Sequence, residues 1–221
     1  MLNLLKDYIS DSLPESNFTT APALLQKVDA YGSFLEFYGN TLVFLLDDTV
    51  MAQLAALQRQ LYEAAPQMLA QPIDPAAFHM TLHDLINSTE DTPALRQRMH
   101  QVKGVVLPIL TKWRGEAPLH LRGTWLFNMV NTSIVLGLEP ADQASAARLG
   151  DMYACIENVV PLGYALTPHI TLAYFRPGTY DNALLGKLKQ VLRPVQLEVT
   201  LTMDKLVLQE FTDMNHYVTI P

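Results

Sequence analysis

A four-residue pattern occurs twice in this chain, as His79-Met80-Thr81-Leu82 and again as His169-Ile170-Thr171-Leu172. Each copy lies in a short apolar stretch bounded by turn-forming residues or proline, which is typical of a β-strand. Side chains of a strand alternate between its two faces, so the histidine and threonine share one face and the apolar residues share the other. The fold must therefore bury one face of both strands, and the repeat indicates two similar halves related by internal duplication.

The hydrophobic pattern around these strands predicts further helices and strands in alternation. Helices are predicted at residues 50–64, 92–113, 141–159 and 181–192, with Pro108 kinking or ending the second. Strands are predicted at 77–85, 119–130, 133–138, 165–175, 196–208 and 217–220, and residues 34–47 are predicted to form a hairpin or two strands that turn at Gly39-Asn40. We expect an α+β fold of two pseudo-symmetric lobes, each a small, mainly antiparallel sheet with flanking helices, and an active-site cleft between them.

The first 30 residues precede this pattern. They are predicted to form an N-terminal helical extension, broken near Pro14 and Pro22, whose apolar residues pack on the body. Residues 31–221 are expected to form a single bilobal domain, and the length of 221 residues provides ample apolar surface for its core.

The charge balance limits the class of ligand. The net charge is −7 and the isoelectric point is about 5.3, whereas proteins that bind long nucleic acids use many lysines and arginines to neutralise phosphates. We therefore expect no long nucleic acid as a partner. A small phosphate ester, or the end of an RNA strand in a local pocket, remains compatible, and the protein is expected to act as a monomer.

The single cysteine and the apolar runs bear on the compartment. Cys155 alone can form neither an intrachain disulfide nor a multi-cysteine zinc site, and a reducing compartment suits it best. The first residues lack the basic leader of a signal peptide, and the longest apolar runs, such as 105–110, are too short to cross a bilayer. These features favour a cytoplasmic protein without membrane association.

The paired histidines and threonines suit chemistry at a phosphate. The ordinary histidine pKa of about 6.5 allows an imidazole to accept or donate a proton near neutral pH. Cleavage of a phosphodiester needs a base that activates water and an acid that protonates the departing oxygen, and two histidines can supply both. The threonine hydroxyls can hold the non-bridging oxygens. This arrangement requires no metal and no other cofactor.

The two His-x-Thr-Leu tetrapeptides, at positions 79 and 169, resemble the signature of the 2H phosphoesterase superfamily, which includes bacterial RNA 2′,5′-ligase-like proteins and cyclic nucleotide phosphodiesterases. The resemblance extends from about residue 34 onward. It implies a metal-independent hydrolase of 2′,3′-cyclic or 2′,5′-type phosphodiesters in nucleotides or RNA ends. It also implies that His79 and His169 are the catalytic acid–base pair and that Thr81 and Thr171 bind the phosphate.

Three further residues are candidates for the lining of the cleft. His83 shares the face of His79 if the strand continues, although two histidines at this spacing also admit a metal site. Phe175 shares the face of His169 and can stack on a base, with core packing as the alternative. Arg176 follows that strand and can reach a phosphate, unless it is a solvated turn residue.

Two other functions stay open at this point. The same pocket could bind a nucleotide or a phosphorylated metabolite without turnover, with the same residues as anion ligands. Alternatively, the chain could be a structural or interaction protein in which the repeated tetrapeptides are accidents of duplication.

Overall fold

The structure, a computed structural model, describes residues 13–14 and 17–221 and contains four α-helices and ten β-strands in that part of the chain. The helices are α1 (Asp48–Ala64), α2 (Pro93–Trp113), α3 (Gln143–Glu157) and α4 (Asn182–Lys189). The strands are β1 (Phe18–Thr19), β2 (Tyr38–Leu45), β3 (His79–Ser88), β4 (Leu119–Met129), β5 (Ser133–Pro140), β6 (His169–Tyr174), β7 (Thr179–Tyr180), β8 (Pro194–Leu201), β9 (Leu206–Phe211) and β10 (Tyr217–Ile220).

Eight of the strands form one antiparallel sheet in the order β10-β9-β2-β3-β6-β5-β4-β8. The strands that carry the repeated tetrapeptide, β3 and β6, are neighbours in its middle. A single residue pair, Met80 with Ile170, joins them, whereas each pairs along its length with the strand on its other side, β2 or β5. The predicted α+β class is confirmed, and the two four-stranded halves meet at one point to form a continuous sheet.

The core lies against the apolar face of the two central strands. Met80, Leu82, Ile170 and Leu172 are completely buried, as their alternation with polar residues predicts. They belong to one large apolar cluster that also contains Leu61 of α1. Helix α1 packs on β6 and β8 although it follows β2 in the chain, whereas α2 packs on β2, β3 and β9. Helix α3 contacts β3 as well as β4 and β5, so it packs on both halves of the sheet.

Each helix begins at a side-chain cap, as the sequence pattern favours. The capping side chain accepts a hydrogen bond from the backbone N–H three residues later at Asp47, Thr92, Asp142 and Asp181. The four helices predicted from the sequence are confirmed, and α2 continues past Pro108 to its end at Trp113. Within the described residues no helix combines the length and the hydropathy needed to span a bilayer.

The predicted turn at Gly39-Asn40 is wrong, because both residues lie inside strand β2. Glycine is needed there for a close approach between strands. A Cβ atom on Gly39 would lie 2.3 Å from the carbonyl oxygen of Ile86 and 2.6 Å from the ring of Phe211. The register of β2 and β3 also shifts between Asn40 and Thr41. Glycine in a strand often marks such a bulge or close contact, as well as a turn.

The prediction of one strand over residues 196–208 is also wrong. The segment contains the end of β8, a short 3-10 helix at Met203–Lys205 and the start of β9. Strand β8 pairs with β4 at one edge of the sheet, whereas β9 pairs with β2 in the other half. The chain therefore crosses between the halves here, and the 3-10 turn, with Met203 buried, redirects it.

Part of the predicted helical extension, residues 1–12, 15 and 16, lies outside the described residues. Of the described part, Phe18–Thr19 is a strand that pairs with β7 instead of a helix, and Pro22–Gln26 is a 3-10 helix. Phe18 and Leu24 are almost fully buried, so this segment packs on the body as expected. The division of the chain at residue 30 stays a prediction.

Substitution of Gly39 tests the close approach of the strands. We expect Gly39→Ala to lower the free energy of unfolding by about 2–4 kcal/mol, since backbone atoms must move to admit the methyl group. Gly104→Ala is the control, because Gly104 lies in α2 with no atom within 4 Å of the added Cβ. It should stabilise the protein by about 0.5–1 kcal/mol. Urea denaturation measures the free energy of unfolding of both variants. Equal changes in the two would contradict the close approach of strands at Gly39.

Candidate active site

The pairing of the central strands places the four motif residues in one array. Because Met80 lies opposite Ile170 in an antiparallel pair, His79 is across from Thr171 and Thr81 is across from His169. The two histidines are therefore diagonal neighbours, which in a regular ladder are about 7–8 Å apart. The two strands lie side by side where the halves of the sheet meet, and each contributes one imidazole and one hydroxyl to the same face.

The two imidazoles are held in the same way. His79 Nδ1 lies 2.8 Å from the carbonyl oxygen of Ala77, and His169 Nδ1 lies 2.6 Å from the carbonyl oxygen of Thr167. A carbonyl oxygen can only accept a hydrogen bond, so Nδ1 must carry the proton in each ring. In the neutral ring this leaves Nε2 unprotonated, and the backbone fixes the orientation of that lone pair.

Burial lowers the pKa of both imidazoles below the ordinary value of 6.5. For His79 the loss of solvent outweighs the carbonyl of Ala77 and the carboxylate of Asp84, both of which raise the pKa, and the value falls to about 4. The pKa of His169 is lowered by the same cause, against the opposing hydrogen bond to Thr167. Both rings are therefore neutral in the free protein near pH 7, and each Nε2 can accept a proton.

The two threonine side chains are available to a ligand. Thr81 and Thr171 are half-buried on the face of the histidines, and within the described chain neither hydroxyl makes a hydrogen bond to the protein. A hydroxyl can rotate to donate to an anion beside it. The array can therefore offer two hydroxyl donors and two imidazoles to a single tetrahedral anion.

A cavity of about 460 Å³ opens over this array. Both halves of the sheet contribute to its walls, and all four motif residues line it. Its volume lies within the range of about 300–1,000 Å³ that is usual for small-molecule sites. The site can therefore accommodate a group of nucleotide size in addition to the phosphate.

A β-bulge follows the motif threonine in both central strands. Opposite β2, Thr81 pairs with Val43 and His83 with Leu42, so Leu82 is an extra residue. Opposite β5, Thr171 pairs with Val135 and Ala173 with Ile134, so Leu172 is an extra residue. An extra residue reverses the alternation of side chains beyond it. The faces assigned from the sequence are therefore correct up to the leucine of each tetrapeptide and reversed after it.

The bulge determines the position of His83. Its ring borders the cavity, but the residue is only 1% exposed. Nε2 lies 3.1 Å from a carboxylate oxygen of Glu157 in α3, and the ring centroid lies 5.0 Å from that of Tyr153. Instead, Asp84 is the residue of this strand that follows Thr81 on the open face. In the described chain no group of three or more His, Cys, Asp or Glu residues could hold a metal ion.

The predicted cleft-lining roles of Phe175 and Arg176 require correction. Because of the second bulge, Phe175 is fully buried, with its ring centroid 4.8 Å from that of Phe18. Tyr174, which would share the face of Ile170 and Leu172 in an uninterrupted strand, lines the cavity in its place. Arg176 does not line the cavity, and its Nε donates a hydrogen bond to the carbonyl oxygen of Ala30.

An aromatic wall lies beside His79, and we use this name for the cluster Phe37, Tyr174, Phe211, Met214 and Tyr217. The ring of Tyr217 meets that of His79 edge-on, with centroids 5.0 Å apart. Aromatic faces of this kind can stack on a planar base. Of the four aromatic residues between positions 31 and 38, only Phe37 lines the cavity.

Tyr217, Asp84 and Lys27 also line the cavity, although no pattern in the sequence predicted them there. Tyr217 is brought to His79 by the final strand, which is distant in the chain. Lys27 lies in the segment interpreted as an extension, and its Nζ atom is 5.0 Å from the centroid of the Phe37 ring. Only the bulge could have indicated Asp84, and no local pattern in the sequence marks it.

Comparison with known proteins finds likeness in structure alone. No protein-family model matches the chain, and no curated protein matches it. Among solved structures, a conserved protein of unknown function from Agrobacterium tumefaciens, ATU0111, covers 97% of this chain and 96% of its own at a TM-score of 0.63 and 18% identity. TT0787 of Thermus thermophilus covers 82% of this chain and 94% of its own length, at a TM-score of 0.54 and 19% identity.

E. coli LigT also matches, covering 84% of this chain and 96% of its own length at a TM-score of 0.55 and 14% identity. A structure described as a phosphoesterase matches over 84% of this chain and 97% of its own length, at a TM-score of 0.52 and 13% identity. Identities this low establish a common fold and no more. This chain therefore shares the fold of LigT, of TT0787 and of the structure described as a phosphoesterase.

Proposed function

We propose that this chain is a phosphodiesterase that hydrolyses a 2′,3′-cyclic or 2′,5′-type phosphodiester of a nucleotide or RNA end. His79 and His169 are the acid–base pair, and Thr81 and Thr171 bind the phosphate. The observation that carries the proposal is the array of two neutral imidazoles and two available hydroxyls at one point of the sheet. The fold adds support, since a structure of LigT with this fold contains 3′-AMP.

The geometry suits in-line attack at phosphorus. With the phosphate over the array, the diagonal histidines lie on opposite sides of it and the threonine hydroxyls donate to its non-bridging oxygens. The Nε2 atom of one histidine takes a proton from water as the new P–O bond forms. The other histidine, protonated, gives its proton to the sugar oxygen as the old P–O bond breaks. The product is a phosphate monoester, and proton exchange with solvent restores both rings.

The negative charge of the bound substrate allows one histidine to act as the acid, although both histidine pKa values are lowered in the free protein. A bound phosphodiester anion stabilises an imidazolium beside it, and so raises the histidine pKa from its value in the free protein. The ligand therefore supplies the interaction that lets one of the two rings hold a proton. All proton transfers can be carried by the two imidazoles, so this mechanism requires no metal.

Substitution of the motif residues tests the assignment. His79→Ala and His169→Ala should each lower kcat/KM for a 2′,3′-cyclic nucleotide by about 10²–10⁴-fold, since each removes one proton transfer. Thr81→Val and Thr171→Val should each cost about 10²–10³-fold, because an isosteric change removes one donor to the phosphate.

His100→Ala is the matched control for these variants, because His100 is exposed on α2 outside the cavity, and it should retain full activity. The assay panel contains 2′,3′-cyclic nucleotides, 2′,5′-linked dinucleotides and RNA ends. If the purified protein binds such ligands but turns none of them over, the chain is a non-catalytic nucleotide-binding protein. Full activity in both histidine variants would exclude any catalytic role of the array.

The pH dependence follows from the direction of the two pKa shifts. The kcat/KM profile reports ionisations of the free enzyme, where burial lowers both histidine pKa values, that of His79 to about 4. Activity should fall at low pH as the base becomes protonated and at high pH as the acid loses its proton. The optimum of kcat/KM should therefore lie below pH 6.5.

The kcat profile should lie at higher pH than that of kcat/KM, because the bound anion raises both histidine pKa values. The acidic and alkaline limbs of each pH profile report apparent pKa values that belong to the pair His79 and His169 together, and not to one ring. Initial rates between pH 4 and 9 in buffers of constant ionic strength measure both profiles. A kcat/KM optimum above pH 7, or a rate independent of pH, would contradict the assignment.

A further inference from the structure

Lys27 places a positive charge in the wall of the cavity. Its ammonium group lies over two aromatic faces, 5.0 Å from the ring centroid of Phe37 and 5.9 Å from that of Tyr174. It is the one lysine or arginine among the described residues that line the cavity. Contacts with aromatic faces stabilise a cation but do not neutralise it.

No carboxylate of the described chain forms an ion pair with Lys27, although the protein carries a net charge of −7. The one acidic residue in the described lining of the cavity is Asp84, on strand β3. A cation that lines a cavity without an acidic partner can pair with an anionic group of a ligand.

The backbone on either side of Lys27 is fixed. Its carbonyl oxygen accepts a hydrogen bond from the N–H of Leu35 at 2.9 Å, and Val28 pairs with Phe34 across the same turn. The carboxylate of Asp29 closes the turn by accepting from two backbone N–H groups, each at 2.8 Å. Lys27 is therefore held at a defined place and does not extend from a free loop.

Two contacts attach this turn to the body. The N–H of Gln71 donates to the carbonyl oxygen of Gly32 at 2.7 Å, and Nε of Arg176 donates to the carbonyl oxygen of Ala30 at 3.1 Å. Only Phe175 separates Arg176 from the end of strand β6. The turn that carries Lys27 is thus anchored to the strand that carries His169 and Thr171.

Lys27 and Asp84 mark opposite ends of the array. Asp84 and Tyr174 occupy equivalent positions, each three residues after a motif threonine and just beyond the bulge. Since β3 and β6 are antiparallel, these positions lie on opposite sides of the Met80–Ile170 pair. Lys27 accompanies Tyr174 at one end. The catalytic residues are nearly symmetric, whereas the cavity around them has a cation at one end and a carboxylate at the other.

We propose that Lys27 is a specificity-determining residue that binds a second anionic group of the substrate, separate from the reacting phosphodiester. This inference rests on the proposed function and adds the orientation of the substrate. Because Leu172 is the extra residue of the bulge, Thr171 and Tyr174 are two ladder steps apart, about 7 Å along the strand. The second anion is expected at about this distance from the reacting phosphorus, a separation that one nucleoside can bridge. A terminal phosphate is the group that fits, and it directs the substrate toward Lys27 and away from Asp84.

Binding of two product-like ligands tests the inference without turnover. Isothermal titration calorimetry at fixed ionic strength compares 3′-AMP with adenosine 3′,5′-bisphosphate, which differs by one phosphate. The wild-type protein should bind the bisphosphate about 10–100-fold more tightly, the usual effect of one charge-assisted contact. In Lys27→Met, which keeps an unbranched side chain over the aromatic rings, the ratio of the two affinities should fall to about one. Lys27→Arg should retain most of the ratio.

Lys187→Met is the control, because Lys187 is exposed on α4 outside the cavity, and it should keep the wild-type ratio. Thermal melting confirms that each variant is folded, and Lys27→Gln replaces Lys27→Met if the latter is not. The inference is overturned if the wild-type protein does not prefer the bisphosphate, if it binds neither ligand, or if the neutral variants keep the preference. If binding depends on Lys27 but no phosphodiester is hydrolysed, the proposed function fails and the inference stands.

Discussion

The site depends on the place where β3 meets β6, because this is where residues 90 positions apart in the chain become neighbours. The pairing of Met80 with Ile170 sets the register, and the register sets which motif side chains lie across from each other. A shift of either strand by one residue would direct its imidazole into the apolar core. The buried Met80 and Ile170 resist such a shift, because it would expose them to solvent. Core packing and the geometry of the site are thus determined by the same contact.

The backbone determines the chemical state of the histidines as well as their position. In each strand a carbonyl two residues before the histidine accepts the Nδ1 proton, at Ala77 and at Thr167. Burial then keeps each ring neutral by lowering its pKa. The free protein therefore presents two bases, and a bound anion supplies the field in which one of them can become an acid. In this account the substrate completes the catalytic site.

The sequence was sufficient for the parts of the site that depend on local alternation. The pattern from His79 to Leu82 assigned the correct face to every residue, as did its repeat at 169–172, and the capped helices followed from equally local signals. The errors began where distant strands determine the backbone. The bulges at Leu82 and Leu172 depend on pairing with β2 and β5, so alternation assigned Tyr174 and Phe175 to the wrong faces. The turn predicted at Gly39 was wrong for the same reason. A glycine is required there because Ile86 and Phe211, which are distant in the chain, leave no room for a Cβ atom.

The central claim is that Nε2 of His79 and Nε2 of His169 converge on one phosphate while both Nδ1 atoms donate to the backbone. Nitrogen-15 NMR of the histidine rings, recorded near pH 7 during titration with inorganic phosphate, measures this most directly. The account predicts that both rings carry the proton on Nδ1 in the free protein. It also predicts that both Nε2 resonances shift along one binding curve with a single Kd. Protonation on Nε2 in the free protein, or a response from only one of the two rings, would contradict it.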